Sequence, residues 1–124
     1  MKKKQAFIFF NKKKNVSSYS KIYRKIEFSK NNPANQARLN IFISLLKKNK
    51  PKKILDVGCG AGLPLIKIKK LGFDISGYDK SKEMVLEAKR NLKKFNLKDK
   101  LVFEDDFENP KKIQNKSVDC ILGM

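Results

Sequence analysis

The sequence predicts an α/β fold: the first half of a doubly wound parallel sheet, about four strands, preceded by an N-terminal helical segment. Three observations carry this. From Lys53 onward, short apolar runs alternate with helical segments, the pattern that builds a parallel sheet. A glycine-rich turn, Gly58 to Gly62, directly follows the first of those runs. Upstream of Pro51 the apolar spacing is helical instead.

The elements follow in chain order. Residues 1–14 form a basic tail around a short apolar stretch, Ala6 to Phe10, which is too short for a secretory signal and lacks a small-residue cleavage site. Residues 15–50 form an N-terminal helical extension. Within it, Tyr19, Ile22, Tyr23 and Ile26 predict a short amphipathic helix. Asn32 and Pro33 then cap and open a second helix reaching about Lys48, with Ala34, Ala37, Ile41 and Leu45 on its apolar face and Phe42 and Leu46 beside them. Residues 51–124 form the sheet. Ile54 to Val57 is its first strand, and Pro64 suits the first turn of the helix that Gly72 ends. Phe73 to Asp79 is the second strand. Ser81 caps the next helix, Glu83 favours its positive end, and Met84, Val85, Ala88, Leu92 and Phe95 give it an apolar face up to Asn96. Leu101 to Glu104 and Val118 to Leu122 are the third and fourth strands, with a turn at Asn109 and Pro110. A fourth strand running almost into Met124 leaves the expectation of a C-terminally truncated gene product, since half a sheet exposes an apolar edge.

Composition narrows the classes. The 124 residues carry a formal charge of +18, and no apolar run approaches the ~20 residues that a membrane helix needs. Cys59 and Cys120 lie in apolar segments rather than in a disulfide framework, which favours a reducing, cytoplasmic setting. The absence of histidine removes the commonest general base and metal ligand from this stretch, and no metal is expected. Charge is uneven: residues 1–53 hold 16 basic and one acidic residue, residues 54–124 hold 14 and 11. A basic arm of this kind suits nucleic acid. Only Arg24, Arg38 and Arg90 are arginine, however, and bidentate phosphate recognition prefers arginine, so the lysines read more simply as coding bias.

The segment Asp56-Val57-Gly58-Cys59-Gly60-Ala61-Gly62 carries the chemistry, with Asp79 ending the second strand 21 residues after Gly58. Glycines permit a tight strand-to-helix turn and let a ligand lie against the backbone, and an acid ending the next strand can accept both ribose hydroxyls. A nucleotide-like ligand follows. The dinucleotide fingerprint starting at Gly58 fails at Leu63, and the triphosphate loop fails at Leu63 and Leu65. Asp56 at the mouth of the turn repels phosphates and suits a cationic nucleoside.

Four motifs in order, D-V-G-C-G-A-G, G-Y-D-K-S-x-x-M, D-D-F and S-V-D-C-I-L, resemble class I S-adenosylmethionine-dependent methyltransferases over residues 53–124. The resemblance implies a Rossmann-like fold and S-adenosyl-L-methionine as cofactor. It implies that Asp56, Gly58 and Gly60 lie against the methionyl part, that Asp79 takes the ribose diol, and that Asp106 and the Phe107 amide meet the adenine, with Asp105 as the register alternative. Two positions resemble quinone-pathway O-methyltransferases more narrowly: Arg38 before the first strand and Met124 just past the fourth. The family position after the ribose-binding acid is usually apolar, whereas here it is Lys80, whose alkyl stem offers the apolar cover.

The expected function is methyl transfer to a small-molecule acceptor, with residues 15–48 as a lid. Two alternatives stand beside it: a nucleic-acid methyltransferase using the basic arm, and a non-catalytic cofactor-binding fragment. In related folds acceptor-side residues come mostly after the fourth strand, so the sequence names no catalytic residue.

Overall fold

The computed structural model describes residues 12, 13, 15, 16, 33–113 and 117–123. Its elements are α1 (Pro33–Asn49), β1 (Ile54–Val57), α2 (Leu63–Lys70), β2 (Ile75–Asp79), α3 (Lys82–Lys94), a 3-10 turn (Asp99–Leu101), β3 (Val102–Glu104) and β4 (Cys120–Leu122). The helix expected around Tyr19 to Ile26 lies outside the described residues; Val16, just before it, is fully buried.

All strand pairs are parallel, in the order β3-β2-β1-β4. The chain lays down β1, β2 and β3 in one direction and then crosses to the far side of β1. This reversal puts the switch point of a doubly wound sheet at the carboxyl end of β1, where the glycine turn begins.

Strand alternation sorts the side chains by face. Ile54, Ile75, Val102 and Leu122 join the helical core with Leu63, Leu65, Ile66 and Ile68 of α2 and Val85, Ala88 and Leu92 of α3. In register with them, Asp56 and Gly77 turn to the same face. Leu55, Ser76 and Phe103 turn to the other, where they line a groove of about 280 Å³ with Lys112, Ile113, Ser117 and Val118.

Two helices obey their local signals. Pro64 sits in the first turn of α2. Ser81 caps α3 by accepting from the Met84 amide at 3.2 Å, and Asn96 ends it in the left-handed region with φ 56°. Phe95 is not on the buried face as expected: it is exposed, with the Lys70 ammonium 4.1 Å from its ring centroid.

Helix α1 turns a different face inward from the one its sequence suggests. Leu39, Ile43 and Leu46 are buried, whereas Ile41 and Leu45 are 62% and 50% exposed. Apolar residues lie on most sides of this helix, so periodicity alone offers two stripes. The stripe that wins carries Leu39, Ile43 and Leu46 into the same core as Ile54 and Leu122, with Phe42 partly buried against it.

Sheet register is fixed at its base by Asp119. Its carboxylate accepts from the Lys52 and Lys53 amides at 2.9 and 2.8 Å, and the Asp119 and Cys120 amides return bonds to the Lys53 carbonyl. The Lys52 and Lys53 amides hold this carboxyl below its ordinary pKa. Asp119 is therefore a structural acid.

Gly77 marks the tightest contact between sheet and helix. A Cβ there would lie 2.7 Å from Leu65 Cδ1, 2.9 Å from Cys59 Cβ and 3.2 Å from the Asp56 carbonyl. Gly77→Ala is expected to destabilise the chain by about 1–3 kcal/mol through overpacking, measured as a lower urea midpoint at unchanged slope.

Candidate functional site

The site grows from the turn between β1 and α2. Gly58, Gly60 and Gly62 hold φ angles of 74°, 52° and 78°, a left-handed series that residues with a Cβ rarely adopt. The Gly58 and Cys59 amides both donate to the Tyr78 carbonyl, at 2.9 and 3.0 Å, which ties the turn to β2. Gly62 then caps α2 with its backbone alone, its carbonyl accepting from Ile66 at 2.9 Å.

Asp79 joins this turn to the end of β2. Its Oδ2 accepts from the Gly60 amide and its Oδ1 from the Ser81 amide, each at 2.9 Å. The Lys80 amide adds a further hydrogen bond to the same carboxyl. Burial pushes this carboxyl above its ordinary pKa, and the Ser81 and Gly60 amides oppose that rise without cancelling it.

A second acid stands close by. Asp56 is buried at the end of β1. Burial raises the Cys59 thiol well above its ordinary pKa, and the nearby charges of Asp56 and Asp79 raise it further. Cys59 is thus a neutral, buried thiol near two acids, Asp56 and Asp79, although the chain as a whole is basic. A ligand bearing positive charge is favoured here.

The segment after β3 sets the two register alternatives in different surroundings. Asp105 is buried, and its carboxylate accepts from the amides of Asp106 (2.9 Å), Lys111 (3.0 Å) and Lys112 (2.9 Å). It folds its own loop. Asp106 is half exposed, its Oδ1 accepting from the Glu108 amide at 3.1 Å and lying 3.6 Å from the Lys80 ammonium. These residues border a cleft of about 550 Å³ at the ends of β2 and β3. Phe107 reaches back over β1 and β2: its ring centroid is 5.4 Å from that of Tyr78, and a Cβ on Gly58 would lie 3.6 Å from it.

The fold therefore gathers Asp56, Gly58, Gly60 and Asp79 in one place and brings Phe107 against Gly58. Asp106 stands beside Lys80, next in sequence to Asp79. Arg38 lies on α1 with its side chain exposed, and Met124 lies outside the described residues. Among the described residues no cluster of His, Cys, Asp and Glu is fit to hold a metal, and no helix is long and apolar enough to cross a membrane.

Residues 48–123 match the sequence profile of a family described as a methyltransferase domain. The chain belongs to that family. Solved structures agree on the fold of this methyltransferase domain. Magnesium protoporphyrin IX methyltransferase (ChlM) from Synechocystis PCC 6803, with SAH bound, superposes with a TM-score of 0.72 at 18% identity, over 98% of this chain and 57% of its own. A putative S-adenosylmethionine-dependent methyltransferase from Methanococcus maripaludis gives 0.69 at 21% identity, over 92% and 50%. An S-adenosylmethionine-dependent methyltransferase from Clostridium acetobutylicum gives 0.61 at 21%, over 86% and 42%. At these identities the likeness speaks for the Rossmann-like fold, and the chain spans about half the length of these structures. No curated protein sequence resembles the methyltransferase domain closely enough to add to this.

Residues that the sequence did not single out also shape the site. Met84, Ala88 and Asn91 of α3 lie under the turn. A Cβ on Gly60 would meet Met84 Cε at 3.4 Å, one on Gly62 would meet Ala88 Cβ at 3.2 Å, and the Asn91 amide donates to the Ala61 carbonyl at 2.9 Å. Met84 and Ala88 were visible as core positions. A polar residue four places before Phe95 gave no such signal.

The Asp105 loop carries a pH prediction. The amides of Lys111, Lys112 and Asp106 hold this carboxyl below its ordinary pKa, so the stability it contributes is present above the ordinary carboxylate value and is lost as pH falls through the lowered one. Amide shifts of Lys111 and Lys112 should titrate together with Asp105 in that acidic window. Asp105→Asn should loosen residues 105–112 already at neutral pH, seen as faster amide exchange there.

Proposed function

We propose that the chain binds S-adenosyl-L-methionine across the carboxyl ends of β1, β2 and β3, and that methyl transfer to a small-molecule acceptor is its function. The observation that carries this reading is the Asp79 carboxylate at the end of β2, fixed beside the glycine turn by the Gly60 and Ser81 amides. A vicinal diol offers two O–H donors that match this arrangement. Family membership and the bound SAH and SAM of the structurally similar magnesium protoporphyrin IX methyltransferase support the choice of cofactor, and the name of that enzyme supports a small-molecule acceptor.

Each residue has a task in this reading. Gly58 and Gly60 let the methionyl part approach the backbone, and the acids Asp56 and Asp79 suit a sulfonium. Asp106 accepts from the adenine amino group and the Phe107 amide donates to the ring. Asp105 is already committed to its loop, which favours Asp106 for that contact. Arg38 and Met124 join the set on resemblance alone. When bound, the cofactor supplies a methyl group activated by its sulfonium. The protein then has to hold the acceptor in line and exclude water, and residues 15–50 are the segment proposed as the lid.

Calorimetry is expected to show heat with SAH and none with NAD; the reverse would overturn the assignment. Asp79→Ala should cost about 2–3 kcal/mol of SAH binding, roughly thirty- to somewhat over a hundredfold in Kd, in a chain that keeps its fold by circular dichroism. Micromolar binding to RNA or DNA at physiological salt, lost on removing residues 1–14, would move the acceptor to nucleic acid.

A further inference from the structure

Helix α3 carries one residue whose presence the fold alone does not explain. Asn91 is buried to 1% exposure in the last turn of the helix. Asparagine is a weak helix former, and desolvating its amide is unfavourable unless both ends find partners. Its Nδ2 donates to the Ala61 carbonyl at 2.9 Å, while its Oδ1 has no hydrogen-bond partner among the described residues. An apolar side chain here would avoid the unfilled acceptor. It would also leave the centre of the glycine turn without its donor.

That hydrogen bond belongs to a pattern. Met84, Ala88 and Asn91 are spaced i, i+4 and i+7, so they share one face of α3. They meet the turn at successive residues: Met84 beneath Gly60, Asn91 on Ala61 and Ala88 beneath Gly62. The first and third are van der Waals contacts that limit approach without fixing orientation. Only Asn91 supplies a directional bond. It sets the rotation of the peptide that links Ala61 to Gly62, whose carbonyl is the bonded one.

We propose that Asn91 is a positioning residue for the cofactor turn: by holding the Ala61 carbonyl it presents the Gly58–Gly62 backbone to the methionyl part of the ligand. The ligand half of this rests on the proposed function; the positioning half does not. Asn91 acts through the turn, so its loss should be felt by the part of the ligand that lies on the turn and much less by the nucleoside, which Asp79 and Asp106 hold.

The test uses the full chain and two substitutions, Asn91→Leu and Asn91→Ala, so that overpacking in one does not decide the result. In the absence of ligand, amide exchange at Gly60 and Gly62 should quicken about tenfold, the effect of one buried hydrogen bond, while the Ile54 amide in the sheet keeps its rate. SAH should bind about tenfold more weakly, while adenosine changes by no more than about threefold. Unchanged turn exchange, or an even loss of protection throughout the chain, would overturn the proposal. An equal loss of SAH and adenosine affinity would overturn it as well. A parent chain that binds no SAH, with exchange quickened only at the turn in the variants, would reject the cofactor reading and leave the positioning of the turn standing.

Discussion

The arrangement depends on one constraint: a strand must pass directly into a helix while its connecting backbone lies between β2 and α3. There is little room for side chains on that path. Gly77 is pressed by Leu65 and Cys59 from above, and Gly62 meets Ala88 from below. The two side chains of the turn, Cys59 and Ala61, are both buried and both small. Because the backbone itself fills the space, its polar groups must be satisfied locally. The Tyr78 carbonyl, the Asp79 carboxylate and the Asn91 amide do this. The same shortage of side chains that lets the core close leaves the outer edge of the turn as bare backbone.

Acidic residues in the sheet region divide by what surrounds them. Asp105 and Asp119 each bind backbone amides of a neighbouring segment and are held below their ordinary pKa by those amides. They act as fasteners, one for the loop after β3 and one for the register of β1 with β4. Asp79 also binds amides, those of Ser81, Gly60 and Lys80, yet burial outweighs them and its pKa rises. At Asp105 and Asp119 the balance runs the other way, the amides outweighing the cost of burial.

Much of the fold was legible because its signals were local. The β1 run Ile54 to Val57, the Ser81 cap and the Pro64 start each depend on a few adjacent residues and appear where the sequence puts them. Strand β2 begins at Ile75 rather than Phe73, and β4 at Cys120 rather than Val118, because pairing decides where a strand starts and apolar character does not. The buried face of α1 depended on what it packs against, which no helical period reveals. The candidate site shows the same division. Glycines and terminal acids announce themselves by type and spacing. Asp105 and Asp106 are alike by type and spacing and differ in what their carboxylates bond, and Asn91 in a lysine-rich helix carries no signal of its bond to the turn.

Under the proposed function, Asp79 links fold and ligand through its proton. A carboxyl whose pKa is raised on folding contributes stability that is fully present below its unfolded value and is lost as pH rises through the folded one. At neutral pH the ionised group is therefore a burden on the free protein. Removing it would relieve that burden and also sever the Gly60 and Ser81 amides from their shared acceptor, so the turn would lose its tie to α3. Ligand donors act differently, because they stabilise the charged form without disturbing those amides. Each hydrogen bond that a ligand donates to this carboxylate lowers the pKa toward its ordinary value and returns stability that burial had taken. Under the proposed function, part of the binding energy therefore comes from a charge that the Gly60 and Ser81 amides already hold in place.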